Sequence, residues 1–299
     1  MYAFQPFFSV KYLRRTLATI LLSLMGSVNL SHAAEAAVAV VAQAVRFKSG
    51  DGTVLNAWLF QPVAPSQGVV VALHGCGGLY ATRGARLGQL NARHQAMADL
   101  LLAQGYAVVF PDSLTPRNEI ELCTQKFGSR KIDQNERRAD ALGALAWIAA
   151  QPWAAGQRTA LLGWSHGGSA VLAATDRTRA DVRSAAIQPA VAIAFYPGCA
   201  AALKSGYQPS APLVMMVAEK DDWTPPGPCV ALGQAVKAEV NVYADSFHGF
   251  DSPTGQVVLR TDVPNGVNPG QGVHVGPNPV ARVLALERVR ELLLTAFKP

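Results

Sequence analysis

The sequence predicts an α/β fold whose central sheet is mostly parallel and carries helices on both faces. Short uninterrupted runs of Val, Ala, Leu and Ile alternate along the chain with longer segments in which apolar residues recur every three or four positions. Uninterrupted apolar runs are typical of parallel strands buried on both faces, and their alternation with helices is typical of crossover connections. Hydrophobic residues make up 50% of the 299 residues and charged residues 15%, which suits a domain with a large core.

The predicted strands begin with a hairpin over 45–60, in which a Ser-Gly-Asp-Gly turn separates two stretches with strand patterning. Each further strand is predicted from a short apolar run. These segments are 69–73, 106–110, 159–163, 191–195, 213–217 and 240–243.

Helices are predicted where apolar residues follow helical spacing, over 84–103, 137–150 and 280–297. Two stretches fit neither pattern and are predicted as loops, the polar segment 113–131 and the Gly-, Pro- and Asn-rich segment 251–278. Long loops at the carboxyl ends of strands in such sheets commonly face the substrate.

The first 33 residues have the pattern of a secretory signal peptide. Lys11, Arg14 and Arg15 precede an apolar run over 16–30, and a small-residue cleavage site ends at Ala33. The apolar run is shorter than the ~20 residues that a spanning helix needs, and no later segment approaches that length. We therefore expect cleavage after Ala33, a periplasmic or secreted protein, a single domain over 34–299 and no membrane span after cleavage. An uncleaved membrane anchor is the alternative.

The charge of the chain excludes one class of partner. Three of the 26 Lys and Arg residues and none of the 20 Asp and Glu residues lie in 1–33, so the formal charge falls from +6 to +3 after cleavage. Such a small charge, without a run of Lys or Arg, lacks the basic surface typical of nucleic-acid-binding proteins. We expect no nucleic-acid partner, and the sequence makes no prediction of the oligomeric state.

Four cysteines follow the predicted cleavage site, which points to disulfides in an exported protein. The loops after neighbouring strands bring Cys76 close to Cys123, and Cys199 close to Cys229, at one rim of the sheet. We predict the disulfides Cys76–Cys123 and Cys199–Cys229, with four free thiols as the alternative. The sequence has no C-x-x-C or H-E-x-x-H pattern, so no metal site is expected.

A Gly-Trp-Ser-His-Gly segment at 163–167 follows an apolar strand and leads into Ala- and Leu-rich helical sequence. This context is typical of a nucleophile elbow, in which a strained turn exposes the serine hydroxyl above the sheet. The flanking glycines remove the collisions that side chains would make there. Ser165 is therefore the candidate nucleophile, the alternative being a serine in an ordinary glycine turn.

A serine nucleophile needs a histidine as general base, and that histidine needs an acid that fixes its tautomer. Candidates for both lie on the loops that follow the last two predicted strands. We predict Asp221 as the acid, with Asp222 and Glu219 as rivals. We predict His248 as the base, with His274 as its rival.

The negative oxygen that forms in acyl transfer needs preorganised N–H donors. The His-Gly-Cys-Gly-Gly loop at 74–78 and the residue after the nucleophile are positioned to supply them. We predict the backbone N–H groups of Cys76 and His166 as these donors. The loop does not fit a dinucleotide fingerprint, because G-x-G-x-x-G beginning at Gly75 would need glycine where Tyr80 stands.

Four motifs together resemble the dienelactone hydrolase family of the α/β-hydrolase superfamily. They are His74-Gly75-Cys76-Gly77-Gly78, Gly163-Trp164-Ser165-His166-Gly167-Gly168, Asp221-Asp222-Trp223-Thr224-Pro225 and Phe247-His248-Gly249-Phe250. The resemblance covers about 44–299 and implies an α/β-hydrolase fold, hydrolysis of carboxylic esters or lactones, and no metal or organic cofactor. The namesake enzymes use a cysteine nucleophile whereas this chain has Ser165, which suits an oxidising environment.

We therefore expect an exported serine hydrolase that acts on a small-molecule ester or lactone. The alternatives are a peptidase resembling the prolyl oligopeptidase group and a non-catalytic ligand-binding protein on a hydrolase scaffold. Three side chains are candidate substrate contacts: Arg117, Trp164 and Trp223. Arg117, on the 113–131 loop, would pair with a substrate carboxylate, unless it forms a structural salt bridge instead.

Overall fold

An eight-stranded sheet runs through the centre of the fold in the computed structural model, which describes residues 40–298. The predicted signal peptide over 1–33 lies outside the described residues. The strands of the central sheet are β1 (Val40–Lys48), β2 (Val54–Pro62), β3 (Val69–Leu73), β4 (Ala107–Asp112), β5 (Thr159–Trp164), β6 (Val191–Phe195), β7 (Leu213–Ala218) and β8 (Glu239–Tyr243).

The strand order in the sheet is β1-β2-β4-β3-β5-β6-β7-β8. β1 pairs with β2 and β2 with β4 in antiparallel fashion, whereas every pair from β4 to β8 is parallel. Every residue of β3, β4, β5, β6 and β7 is buried, which explains their uninterrupted apolar sequences. The predicted mostly parallel sheet is confirmed.

Helices cover both faces of the sheet, as predicted. Side chains of α1 (Ala92–Ala103) and α7 (Pro279–Ala296) pack on one face, and those of α2 (Gln134–Ala149), α3 (His166–Ala174) and α6 (Pro226–Val236) pack on the other. No helix within residues 40–298 combines the length and apolarity needed to cross a membrane. Two short helices, α4 (Ala180–Arg183) and α5 (Ala200–Lys204), lie between α3 and α6 in the chain.

The prediction of one helix over 84–103 was wrong in its first part. Gly84 and Gly88 have φ angles of 73° and 76°, which interrupt a right-handed helix. Gly84–Arg86 forms a separate 3-10 turn, and α1 begins at Ala92. Asn91 caps α1, because its side-chain oxygen accepts a hydrogen bond from the His94 N–H at 3.1 Å.

Two further boundaries differ from the prediction. α2 begins at Gln134 rather than at 137, because Asp133 and Glu136 form a capping box. The predicted loop over 251–278 contains a two-stranded antiparallel ladder of β9 (Val258–Arg260) and β10 (Val273–Val275). Strands of three residues carry too little pattern to be predicted from sequence.

Both predicted disulfides are present in the structure, with a Cα–Cα distance of 5.0 Å in each. Cys76–Cys123 joins the loop after β3 to the loop after β4. Next to this bridge, the Leu122 N–H donates to the Cys76 carbonyl oxygen at 2.7 Å. Cys199–Cys229 joins the N-terminus of α5 to α6. Each bridge therefore connects two segments that follow strands of the sheet, and in the second bridge one of these segments is a helix.

The contact between α2 and the end of β1 depends on a glycine. A Cβ at Gly143 would lie 2.5 Å from the carbonyl oxygen of Lys48 and 2.8 Å from Cα of Ser49, both of which are backbone atoms that cannot rotate away. We predict that Gly143→Ala lowers the free energy of unfolding by about 1–3 kcal/mol in urea denaturation.

Gly227→Ala in α6 is the matched control, because a Cβ there meets no atom within 4 Å. We expect that variant to be as stable as the wild type or slightly more so. If the two variants have the same midpoint of urea denaturation, the backbone around Gly143 accommodates a Cβ without loss of stability, and the prediction is wrong.

Candidate active site

Ser165 lies in the turn between β5 and α3 with φ 53° and ψ −116°. This left-handed conformation is rare for a residue other than glycine and marks local strain. A Cβ at Gly163 would overlap the carbonyl of Gly167, and a Cβ at Gly167 would overlap the carbonyl of Leu73. Glycine at both positions therefore allows the tight turn that the sequence predicts.

Asp221, His248 and Ser165 form one hydrogen-bonded chain. His248 Nε2 lies 2.9 Å from Ser165 Oγ, and His248 Nδ1 lies 2.8 Å from Asp221 Oδ2. Asp221 and His248 are both buried. The carboxylate accepts from Nδ1–H, which leaves Nε2 free to accept the serine proton. The structure thus brings together the three side chains that were predicted as nucleophile, acid and base.

The Asp221 carboxylate is fixed by its own turn after β7. Its Oδ1 accepts backbone N–H groups of Trp223 at 2.9 Å and of Thr224 at 2.8 Å. Thr224 Oγ1 lies 3.0 Å from Oδ2 and 3.1 Å from His248 Nδ1. These donors satisfy the hydrogen-bonding capacity of a buried carboxylate and aim its second oxygen at the imidazole.

Two aromatic rings hold the His248 imidazole. The ring centroids of Tyr196 and Trp223 lie 4.5 Å and 4.7 Å from that of His248. Behind them, the buried carboxylate of Asp251 accepts from the Tyr196 hydroxyl at 2.6 Å and from Arg93 Nε at 3.0 Å. Burial raises the pKa of the Tyr196 phenol well above its usual value, so the hydroxyl remains a donor.

The rival acid and base pair with each other instead of with Ser165. His274 Nδ1 lies 2.6 Å from Asp222 Oδ2, and the His274 N–H donates to Asp222 Oδ1 at 2.8 Å. This pair joins β10 to the loop after β7. The third rival, Glu219, accepts the Asp245 N–H at 2.9 Å. None of these three side chains has a hydrogen bond to the triad.

The predicted oxyanion donors lie beside Ser165. Cys76, His166 and Ser165 all line one cavity of about 400 Å³. A Cβ at Gly75 would lie 3.6 Å from Ser165 Cβ, which places the glycine loop directly against Ser165. Among the described residues the Cys76 N–H has no hydrogen-bond partner, and the His166 N–H is the first of α3, where no intrahelical acceptor exists. Both amides are therefore free to bind an oxygen of a substrate.

Trp223, which was predicted as a substrate contact, lines this cavity together with Phe127 and Arg130 from the 113–131 loop. The guanidinium carbon of Arg130 lies 4.6 Å from the centroid of the Phe127 ring. The 113–131 loop therefore forms one wall of the cavity, as its position after β4 suggests.

The prediction of Arg117 as a substrate contact was wrong. Its guanidinium forms a bidentate pair with the buried Asp140, at 3.0 Å and 2.8 Å, and a further contact of 2.7 Å with Asp51. Its Nη1 also donates to the Ser113 carbonyl oxygen at 2.8 Å. With its donors engaged in this way, Arg117 is a structural link between β4, α2 and the β1–β2 turn.

The prediction of Trp164 as a substrate contact was also wrong. The side chain is 1% exposed and faces the core below the elbow. Its ring lies 5.1 Å from His94 and stacks on Phe195 at 6.0 Å, and its Nε1–H donates to Asp251 Oδ2 at 2.8 Å. Alternation along β5 directs residue 164 away from the cavity that Ser165 lines.

Sequence reasoning missed Tyr196, Thr224 and Asp251, which support the triad without belonging to it. Asp251 lies three residues after His248, a proximity that offered some signal. Tyr196 and Thr224 lack such a local pattern, because their roles depend on contacts between β6, β7 and the His248 loop. No cluster of three or more His, Cys, Asp or Glu side chains suited to a metal ion occurs within residues 40–298.

Comparisons with known proteins agree with this fold. A dienelactone hydrolase-like promiscuous phosphotriesterase from metagenomic libraries is 17% identical, with a TM-score of 0.63 over 87% of this chain and 100% of that chain. A dienelactone hydrolase from Anabaena variabilis is 16% identical, with a TM-score of 0.57 over 86% and 98%. Esterase 2 of Thermogutta terrifontis is 15% identical, with a TM-score of 0.57 over 85% and 94%.

The sequence itself matches a family model. The chain has no match among curated protein sequences. The model of the dienelactone hydrolase family matches residues 55–296, a range that includes the glycine loop at 74–78, Ser165, Asp221 and His248. The chain therefore belongs to the dienelactone hydrolase family of α/β-hydrolases and is a hydrolase of the carboxylic-ester type.

Proposed function

We propose that this protein is an exported serine hydrolase that cleaves small carboxylic esters or lactones through an acyl-enzyme on Ser165. The observation that carries the proposal is the position of His248, whose two ring nitrogens lie 2.9 Å from Ser165 Oγ and 2.8 Å from Asp221 Oδ2. This arrangement satisfies the nucleophile–base–orienter geometry of serine hydrolases.

In the first half-reaction, Ser165 Oγ attacks the ester carbonyl carbon while His248 Nε2 takes the hydroxyl proton. The carbonyl oxygen becomes negative and is bound by the N–H groups of Cys76 and His166. When the tetrahedral intermediate collapses, the ester C–O bond breaks and His248 gives its proton to the leaving alkoxide. The alcohol departs, or stays tethered if the substrate is a lactone, and the acyl group remains on Ser165.

In the second half-reaction, a water molecule gives a proton to His248 and attacks the acyl carbon. The same two N–H groups bind the second oxyanion. Collapse breaks the bond to Ser165 Oγ, which recovers its proton from His248, and the carboxylic acid is released. Asp221 stabilises the imidazolium in both halves and holds it in one orientation, without itself becoming protonated.

The export part of the proposal rests on two features of the chain. Residues 1–33 have the charged, apolar and small-residue order of a signal peptide, which gives a domain over 34–299. All four cysteines are paired, and stable disulfides are typical of oxidising compartments. We expect protein recovered from the periplasm of an exporting bacterium to begin after Ala33, as measured by intact mass.

Removal of the nucleophile or the base should abolish ester hydrolysis. We predict that Ser165→Ala and His248→Ala each lower kcat by about 10⁴- to 10⁶-fold on an aryl ester, and that the double variant is hardly worse than either single variant, because the triad acts as a unit. The measurement is steady-state kinetics, with circular dichroism to confirm folding.

His274→Ala is the matched control for the base, because His274 pairs with Asp222 outside the triad. Its kcat should remain close to that of the wild type. A His248→Ala variant that keeps its activity while His274→Ala loses it would assign the base to His274. Labelling by a fluorophosphonate probe should require Ser165.

Two adjacent aspartates provide a controlled test of the acid. We predict that Asp221→Asn lowers kcat by about 10⁴-fold, because an amide favours the wrong imidazole tautomer. Asp222→Asn changes the same charge one residue away, on a carboxylate that faces His274 rather than His248. It should leave kcat near the wild-type value. The opposite result would place the catalytic acid at Asp222.

The disulfide next to the Cys76 amide should matter more for catalysis than for folding. In a Cys76→Ser/Cys123→Ser variant we predict a lower kcat with an unchanged far-ultraviolet circular dichroism spectrum at 25 °C, because the bridge fixes a loop rather than the core. Cys199→Ser/Cys229→Ser removes a bridge that does not include an oxyanion donor and should lower kcat less. If the Cys76→Ser/Cys123→Ser variant loses its far-ultraviolet circular dichroism signal to the same extent as its activity, the bridge supports folding rather than catalysis, and the prediction is wrong.

A further inference from the structure

The guanidinium of Arg137, on α2, is fully buried behind the two backbone segments that carry the proposed oxyanion donors. Its Nη2 donates to the His74 carbonyl oxygen at 2.8 Å, and its Nη1 lies 3.3 Å from His166 Nδ1. One side chain thus links the residue before the glycine loop to the residue after the nucleophile. Nothing in the catalytic cycle proposed above uses it.

The His74 carbonyl lies where three elements meet. A Cβ at Gly167 would lie 2.5 Å from this oxygen, so the N-terminus of α3 packs directly against it. The carbonyl is excluded from water at that point, and a buried acceptor without a partner is costly. Arg137 supplies the partner with a charge-assisted bond, which fixes the end of β3 relative to α2.

The His74 side chain also restrains the peptide bond between Gly75 and Cys76, which carries the first proposed oxyanion donor. Its Nδ1 lies 2.8 Å from the Gly75 carbonyl oxygen, and its Nε2 accepts the Ser113 N–H at 3.2 Å. The ring therefore carries its proton on Nδ1 and donates it to Gly75. The C=O of Gly75 and the N–H of Cys76 belong to one planar trans peptide and point in opposite directions. A bond that holds the carbonyl therefore aims the Cys76 N–H, and the Gly78 N–H holds the same oxygen at 3.2 Å.

The second donor is held in the same way. His166 is almost fully buried, and burial together with the Arg137 guanidinium lowers the pKa of its imidazole well below the usual value. A neutral ring accepts the Arg137 N–H at Nδ1. His166 follows Ser165 directly, so this contact restrains the first peptide of α3, whose N–H is the second oxyanion donor.

The positive charge of Arg137 is not neutralised by a direct ion pair. No carboxylate oxygen within the described part of the chain lies within 4.0 Å of its nitrogens, because the neighbouring Asp140 is paired with Arg117. Asp112 also faces this region, but its carboxylate accepts the N–H groups of Leu114 and Thr115. Burial lowers the pKa of Arg137 to about 10, so the guanidinium remains charged at neutral pH.

We propose that Arg137 is a positioning residue for the oxyanion. It fixes the Cys76 and His166 N–H groups relative to each other and places a buried positive charge behind them. The inference rests on the proposed function, because an oxyanion forms only if Ser165 attacks a carbonyl. Its effect is confined to states that carry the negative oxygen, so it should act on kcat and not on the binding of a neutral ester.

The test compares Arg137→Met and Arg137→Lys with the wild type. Methionine removes the charge and both bonds, whereas lysine keeps the charge but presents one ammonium group in place of the two-pronged guanidinium. We expect Arg137→Met to lower kcat on a neutral aryl ester by about 10- to 100-fold with little change in KM. Affinity for a trifluoromethyl ketone, whose adduct with Ser165 carries an oxyanion, should fall by a similar factor. The kcat of Arg137→Lys and its affinity for this inhibitor should lie between those of Arg137→Met and those of the wild type.

Arg138→Met is the matched control. Arg138 is the next residue of α2, and its side chain pairs at the surface with Asp181 and Asn135. It should keep the wild-type kcat and the wild-type inhibitor affinity. Thermal unfolding of each variant separates a stability effect from a catalytic one.

Three results would overturn the inference: a folded Arg137→Met variant with unchanged kcat and inhibitor affinity, a fall in melting temperature alone, or a rise in KM alone. If Arg137→Met does not fold, the same comparison of kcat with inhibitor affinity in Arg137→Lys decides. Ser165→Ala tests the proposed function separately. Activity retained by Ser165→Ala would remove the proposed function, whereas an inactive Ser165→Ala beside a fully active Arg137→Met would remove the role of Arg137 alone.

Discussion

The geometry of the candidate site depends on the contact between the N-terminus of α3 and the carboxyl end of β3. At Gly167 the two backbones approach so closely that any side chain would overlap the carbonyls of Leu73 and His74. Ser165 begins the same turn, and the glycine loop at 74–78 continues from the same strand. The distance between Ser165 and the proposed oxyanion donors is therefore set by backbone packing, which is more rigid than side-chain rotamers.

Buried carboxylates around this contact are each satisfied by several donors. Asp221 receives two backbone N–H groups and His248, Asp251 receives Trp164, Tyr196 and Arg93, and Asp140 receives the fork of Arg117. An ionised group in the interior is costly unless it is bonded in this way. Since most of these donors come from distant parts of the chain, each carboxylate also ties together loops that would otherwise move independently. The loops around Ser165, Asp221 and His248 are therefore held in place by hydrogen bonds to buried carboxylates as well as by packing.

The features that the sequence could predict are those encoded in short segments. The parallel sheet follows from uninterrupted apolar runs, the elbow from its two glycines, and the order of Ser165, Asp221 and His248 from the loops that follow strands. What the sequence could not predict depends on long-range contacts. Arg117 looks like a free loop cation until α2 brings Asp140 beside it, and Trp164 is directed inward by its register in β5. Arg137 looks like any polar residue of an amphipathic helix, because its partners lie 29 and 63 residues away in the chain.

A serine at position 165 is compatible with the disulfide that lines the same cavity. Cys76 and Ser165 line the same cavity, and Cys76 is bonded to Cys123. A nucleophilic thiolate at position 165 would stand close to a disulfide, and thiolates attack disulfide sulfur to form mixed disulfides. Such an exchange would consume that thiolate and release the loop that carries Cys76, one of the proposed oxyanion donors. A serine hydroxyl does not undergo this reaction, so the Cys76–Cys123 bridge is chemically compatible with Ser165.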